Sequence, residues 1–288
     1  MSNWLKEFNS LFKRFVLAAN VLPALFGFLL ASRYYGIAFQ DYWLEFVLLM
    51  LGSVLLIAGA LTLNNWLEAD VDKLMERTQK RPTVTGTLSL RTVLIIGIIL
   101  SSAGQLVLLL INLEVALYGF IGWYTYVVIY TIWTKRRVTW NTHVGSVSGA
   151  VTPLMGWAVI DSAIHPIPLS LFVIMFLWQM PHTYAIAIRK FDDYKRAGLK
   201  MLPVVKGYQV TIRRNAVYIA LLLLVPFLVQ GFSLSFYVLI TLLNTVWLLI
   251  ALYGFKADPL IKWANILFGS SLGYLMTVFI LYLLFVPV

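Results

Sequence analysis

Cysteine is missing from this chain, and charge is scarce: only 12% of its 288 residues are Asp, Glu, Lys or Arg. Without a thiol there is no disulfide, no thiolate nucleophile and no cysteine metal site. Soluble domains carry about 25% charged residues, so this composition excludes an ordinary water-soluble fold. Two-residue alternation of polar and apolar positions is absent as well, which argues against a membrane barrel. What is present instead is continuous apolar sequence, with 61% of all residues hydrophobic. A helix needs about 20 such residues to cross a bilayer, and in lipid a helix satisfies every backbone group internally.

The expectation is an all-α, polytopic membrane protein with nine transmembrane helices, at 15–32, 43–63, 92–112, 116–133, 143–160, 167–188, 215–232, 234–254 and 264–285. The whole of 1–288 reads as one integral-membrane domain. Span 143–160 is the weakest, because Gly145, Ser146, Ser148, Gly149, Pro153 and Gly156 interrupt it. Small residues there allow close helix contact or a substrate against backbone. Lys6, Lys13 and Arg14 precede a run long enough to span, with no small-residue cleavage site, so the start reads as retained and not as a cleaved signal. Trp4, Phe8, Leu11 and Phe15 recur at helical spacing and suggest an amphipathic segment over 1–14 lying on the membrane surface.

The net charge of +10 could suggest nucleic acid, but its distribution has another cause. All but Arg33 of the 22 Lys and Arg residues fall in the leading segment or in alternate loops: 64–91, 135–137, 189–214 and 255–263. The positive-inside rule places that side in the cytoplasm, with the N-terminus, and the C-terminus outside. No nucleic-acid partner is needed.

Two of these basic loops are also acidic. LNNWLEADVDKLMERTQKRP, residues 63–82, sets Asn64, Glu68, Asp72 and Glu76 four apart, on one face if the helix continues, with Asp70 opposite. Clustered carboxylates near low dielectric need positive charge. Lys73, Arg77, Lys80 and Arg81 could supply it, and so could Mg²⁺, which takes a few carboxylates plus substrate phosphates. The second loop carries Asp192 and Asp193 among Arg189, Lys190, Lys195 and Arg196. These could be plain surface ion pairs. Asp72, Pro82, Val84 and Gly86 recur at one constant interval as Asp193, Pro203, Val205 and Gly207, a hint of internal duplication. Acids and bases on one side of an apolar bundle suit a metal-bound diphosphate with a hydrocarbon tail, that is, a polyisoprenyl diphosphate.

N64-x-x-x-E68-x-x-x-D72 followed by ERTQKRP resembles the first motif of the UbiA-type intramembrane prenyltransferases. YTIWTKRRVTWNTHVGSVSGAVTPLMGW and FLWQMPHTYAIAIRKFDDYKRAGLKMLPVVKG resemble one branch of that family, the protoheme IX farnesyltransferases, over most of the chain. The sequence departs from the wider pattern in Glu68, which replaces an Asp, in the extra Asp70, and at Lys190 and Tyr194, where many relatives place the acids of a second DxxxD motif. The resemblance implies a central cavity open to the basic loops and transfer of farnesyl from farnesyl diphosphate to a vinyl group of heme b. Its partners would be those two substrates, the lipid bilayer, and heme A synthase or terminal-oxidase assembly proteins.

On that basis Mg²⁺ is expected on Asp72 and Asp192 or Asp193, supported by Glu68. Asn64, Asp70, Arg77, Arg81, Lys135, Arg136, Arg189 and Lys190 are expected around the diphosphate. His182, just after Pro181, could bind heme iron or accept a proton, or could simply hydrogen-bond a neighbouring helix. His143 and His165 have weaker claims. Trp66, Trp133, Trp140, Trp178 and Tyr184 could face a porphyrin or sit at the membrane interface. The rivals are a prenyltransferase for a quinone precursor or other aromatic ring, a cation-coupled transporter or Mg²⁺ channel, and a structural assembly subunit. A transporter would bury acids mid-span.

Overall fold

The computed structural model describes residues 10–287, all helices and connecting loops with no strand among them. Eight helices are long and apolar enough to cross a membrane. They are α1 (Arg14–Tyr34), α2 (Trp43–Leu67), α3 (Leu90–Leu109), α4 (Leu113–Thr134), α7 (Pro166–Arg189), α8 (Leu202–Leu222), α9 (Leu234–Tyr253) and α10 (Leu260–Phe285). Between α4 and α7 the expected span 143–160 is broken into two short helices, α5 (Asn141–Ala150) and α6 (Thr152–Trp157). The small residues of this stretch make the break affordable and useful. Gly156 packs against the backbone of Ala24 in α1, and Gly27 of α1 against Pro153, so a Cβ at either glycine would collide with the facing chain. Since α4 ends and α7 ends at the basic side, α5 and α6 carry the chain to the opposite face.

The tightest pair is α2 with α3. Gly59 and Gly97 sit where any side chain would strike the partner helix, and Leu63 and Ser101 fill the space they leave. In lipid, such close approach replaces the hydrophobic drive that water would supply. Helix starts are capped locally: Ser89 accepts from Thr92 N at 3.0 Å and Asn112 from Val115 N at 2.8 Å. The last ten residues of α4, Thr125–Thr134, are wound as π-helix, and Lys135 N donates to Tyr130 O at 2.9 Å, five residues back. π-turns of this kind re-aim side chains and gather at functional sites.

The leading stripe is only partly within the described residues. Trp4 and Phe8 lie outside them. Leu11 is fully buried, with its carbonyl accepting from Asn65 Nδ2 at 2.7 Å, while Phe15 is 77% exposed. The two therefore do not share one surface.

The two acidic loops agree over part of their course. Each has an extended residue before a helical turn, Arg81 (φ −68°, ψ 144°) directly before Pro82 and Met201 (φ −70°, ψ 144°) two residues before Pro203, so the turns start one residue out of step with the shared interval. Each turn ends on a glycine in the left-handed region, Gly86 at φ 80° and Gly207 at φ 79°, which a side chain would strain. Beyond the glycines the paths separate, with ψ 6° at Gly86 and 172° at Gly207.

Candidate active site

Helix α2 ends at Leu67, and Glu68 (φ −105°, ψ 8°) turns the chain into a one-turn helix, Ala69–Asp72. The four-residue stack expected for a continuous helix thus splits. Asn64, Glu68 and Asp72 remain buried and inward, whereas Glu76 and Asp70 are exposed. Each inward group is met by a cation from a different element. Lys13 Nζ, at the start of α1, donates to Asn64 Oδ1 at 2.9 Å. Lys135, just past the π-helix, pairs with Glu68, and Arg81 pairs with Asp72. Asn64 Nδ2 also donates to Thr131 Oγ1 at 3.3 Å, and Thr78 Oγ1 to the Asp72 carbonyl at 2.8 Å.

Burial opposes every charge here, so the partners decide the protonation. Burial pushes the Glu68 carboxyl up, but Lys135, together with Lys13 and Arg81, outweighs it and holds Glu68 below the usual carboxylate range. Burial likewise works against the Lys135 ammonium, and Glu68 more than restores it. Asp72 is driven upward by burial, which Arg81 only partly offsets. Among the described residues no carboxylate is in contact with Lys13; burial first and Arg81 second lower it to about 7.

The second loop comes against the first. Phe191–Arg196 forms a short helix whose Asp193 is buried and whose Asp192 is exposed. Asp193 Oδ1 accepts from Glu76 N at 3.1 Å and from Arg196 at 2.7 Å, and Arg196 reaches Glu76 at 3.0 Å. Arg77 donates to Tyr194 Oη at 3.2 Å and lies 5.2 Å from that ring's centre. Val71, Met75, Ala187, Tyr194, Leu199 and Met201 form an apolar seam beneath. Tyr194 thus holds a base where the wider motif would place an acid.

Other expected residues stand further out. Arg136 forks onto Asp70 with two bonds of 2.8 Å and caps the Leu67 carbonyl at 2.9 Å. Arg189 lies 4.3 Å over the Phe268 ring of α10, and Lys190 is exposed. His182 is packed between Trp178 (4.7 Å) and Phe268 (5.0 Å), with Nδ1 2.7 Å from Ser271 Oγ. The structure does not bring it to the acidic cluster. His143 pairs with Tyr218 at 2.5 Å, and His165 stacks on Trp157 at the opposite end of the bundle.

Beside the ionic cluster lies a cavity of about 200 Å³. Tyr126, Tyr130, Trp123 and Gly122 of α4, Leu56 and Ala60 of α2, Val151 and Met155, and Gln179 and Thr183 of α7 are among its walls. Lys135 Nζ is 5.4 Å from the centre of the Tyr130 ring, so Tyr130 stands between the cavity and the charged groups. Sequence reasoning did not single out Lys13, Thr131, Tyr126 or Tyr130 for this site. Lys13 and Asn64 are 51 residues apart, and no local pattern encodes that contact.

The oxygens present are hard ligands of the kind Mg²⁺ takes. Asp72 Oδ1 is buried with no hydrogen-bond partner among the described residues, and Asp193 spends only Oδ1 on its two contacts. No three His, Asp or Glu side chains among the described residues stand close enough to hold an ion alone. The donor set therefore fits a divalent ion whose remaining ligands come from a bound phosphate.

Residues 20–284 match the model of the UbiA prenyltransferase family. The chain belongs to that family. Among UbiA relatives, the protoheme IX farnesyltransferase of Oceanobacillus iheyensis is 46% identical over 274 residues, covering 95% of this chain and 87% of that one. Protoheme IX farnesyltransferase 2 of Bacillus velezensis is 44% identical, over 97% and 92% of the two chains. Among solved UbiA-fold structures, a digeranylgeranylglyceryl phosphate synthase superposes with a TM-score of 0.79 at 16% identity, over 97% of each chain. A UbiA homolog from Archaeoglobus fulgidus, bound to DMAPP and Mg²⁺, gives 0.64 at 17% identity, over 95% of this chain and 99% of that one. These distant structures share the fold. The expected all-α UbiA-type membrane bundle is thus the observed one, with eight helices among the described residues long and apolar enough to span where nine were expected.

Proposed function

We propose that this chain transfers the farnesyl group of farnesyl diphosphate to a vinyl group of heme b with addition of water, releasing diphosphate and giving heme O. One observation carries the diphosphate half: Lys13, Arg81 and Lys135 converge on Asn64, Glu68 and Asp72, next to Tyr130 of an apolar cavity. The heme half rests on relatives named for that reaction, aligned over nearly the whole chain.

Asp72 and Asp193 would hold Mg²⁺, with Glu68 beside them and Asn64 in hydrogen-bonding reach. Bound there, the ion supplies positive charge against the leaving diphosphate. Arg81 and Lys135, drawn off their carboxylates, would join Lys13, Arg77 and Arg136 on the phosphate oxygens. These cations stabilise the charge that grows on the diphosphate as the allylic C–O bond breaks. The apolar walls keep water from the farnesyl cation, and the faces of Tyr126 and Tyr130 attract it. The vinyl π-bond then attacks that cation, forming the new C–C bond. Water adds to the cation left next to the porphyrin ring and loses a proton. The basic loops would face the cytoplasm, with the C-terminus outside.

The test uses purified protein in lipid with reduced heme b, farnesyl diphosphate and Mg²⁺. The extracted porphyrin should gain the mass of one farnesyl group plus water. Unmodified heme beside tightly bound farnesyl diphosphate would transfer the assignment to an aromatic-ring acceptor.

A further inference from the structure

Two cavities lie side by side in the bundle. The central one, described above, meets the ionic cluster at Tyr130. The second, of about 360 Å³, is lined by Leu56, Ser101, Ser102, Gln105, Leu106, Phe120 and Trp123. Leu56 and Trp123 line both. Leu106 is 62% exposed and Phe120 47% exposed, so this outer cavity gives onto the lipid.

Trp123 is fixed in place. Its Nε1 donates to Ser101 Oγ at 2.9 Å, across from α4 to α3, and Ser101 is buried. On its outer side the indole stacks on Phe120, centroid to centroid 6.4 Å. A buried indole N–H needs such a partner, and the bond leaves the ring standing as a wall between the two spaces.

We propose that Trp123, held by Ser101, is the partition that limits the length of prenyl chain the site accepts, and that removing it joins the two cavities and admits a longer chain. The inference rests on the prenyl diphosphate reading of the site, not on the identity of the acceptor. Tyr130 and Gly119 both line the central cavity and lie at most about 16 Å apart along α4, at the ~1.5 Å rise of a helix. A farnesyl chain has a longest path of twelve carbons and spans about 14 Å when extended, from C–C bonds of about 1.5 Å. One more isoprene unit adds about 5 Å on the same bond lengths and overruns the cavity. Gly119 offers no way round the end, since Leu108 and Leu56 already occupy the space where its Cβ would go. The surplus carbons can go only sideways, where Trp123 stands.

The experiment measures binding of geranyl, farnesyl and geranylgeranyl diphosphate with Mg²⁺ by calorimetry on the full chain in lipid nanodiscs, with no heme present. The intact protein should favour farnesyl over geranylgeranyl by at least about tenfold, the scale on which a pocket rejects an overlong apolar substituent. In Trp123→Ala that preference should fall to within about threefold through a gain for the longer chain. Trp123→Leu should move the same way to a smaller extent and serves if the alanine variant does not fold. Ser101 is a positioning residue: Ser101→Ala should relax the preference part of the way and Ser101→Thr should restore it. An unchanged ratio in a Trp123 variant that still binds farnesyl diphosphate, or equal loss for both chains, overturns the proposal. Absence of binding for every prenyl diphosphate overturns this proposal and the diphosphate reading together. A shifted ratio in a protein that leaves heme unmodified keeps the partition and removes only the acceptor.

Discussion

The two acidic loops look alike in sequence and differ in what they do with their charge. In the first, Glu68 and Asp72 are buried; Glu68 is met by Lys135 from the end of α4, and Asp72 by Arg81, nine residues on in the same loop. In the second, only Asp193 is buried; its partner Arg196 comes from its own helical turn, half-exposed, and Asp192 faces solvent. Desolvated charges cost much unless matched in place, and Glu68 finds its match only across the bundle, on Lys135. Asp193 is matched by Arg196 of its own turn and by the backbone N–H of Glu76 from the first loop.

The sharpest way to break this comparison is to neutralise acids of equal chemistry and unequal position. Asp72→Asn should abolish turnover while the protein stays in the membrane, and Asp193→Asn should lower it at least about a hundredfold, the scale of a lost group that stabilises transition-state charge. Asp192→Asn should stay within about threefold, as an exposed side chain outside the chemistry does. Steady-state rates with saturating farnesyl diphosphate and Mg²⁺ decide it. Equal damage from Asp192→Asn and Asp193→Asn would show that the second loop turns over to present both acids, and near-normal activity of Asp72→Asn would remove the metal assignment.

A second contrast separates buried from exposed ion pairs. Glu68→Gln leaves Lys135 without its carboxylate in a buried place and should cost roughly 3–5 kcal/mol of stability. Asp70→Asn releases Arg136 at a solvent-facing site and should cost under about 1 kcal/mol, even though its two bonds have good geometry. Unfolding in detergent, followed by helix signal against temperature, reads both. Similar losses would mean that the Glu68–Lys135 pair is reached by water.

Much of this was legible in the sequence, for identifiable reasons. The apolar runs mark the spans because hydrocarbon admits little else, and Asn64, Glu68 and Asp72 were marked as a set by their spacing. Asp70 lies on the opposite face, as the spacing implies, and meets Arg136; Glu76 was placed by assuming a continuous helix, but the helix ends at Asp72 and Glu76 faces outward, where Arg196 meets it. The interruptions in 143–160 pointed to a weak span, but the break into two helices depends on Gly156 and Gly27 meeting the chain opposite. His182 beside a proline looked chemical, whereas its neighbours are Trp178, Phe268 and Ser271, the last two brought by α10. Contacts made at such sequence distances leave no periodicity to read.

Lys13 shows this most plainly, and it supplies the smallest and most diagnostic expected effect. Among the described residues it is the one cation of the cluster whose contact is a neutral amide, and burial holds it near 7 where Lys135 is held charged. A lysine lowered in the folded protein is protonated below that value and neutral above it, while the unfolded chain keeps its proton to about 10.4. Between those limits the unfolded state binds more protons, so this group makes the fold more stable as pH rises. Its contribution to anion binding has the opposite sign: the ammonium is present below about 7 and fades above it. Inorganic diphosphate without metal should therefore bind several-fold more weakly at pH 8 than at pH 6, and binding at pH 8 should take up a proton as the anion restores the charge. Calorimetry in two buffers of different ionisation enthalpy measures that uptake. Lys13→Met should abolish the uptake and flatten the pH dependence, leaving the cost at pH 8 small because the wild-type side chain is already largely neutral there. If Lys13→Met weakens binding equally at both pH values, the ammonium is charged throughout, and the cluster contains a nearer carboxylate than Asn64 would suggest.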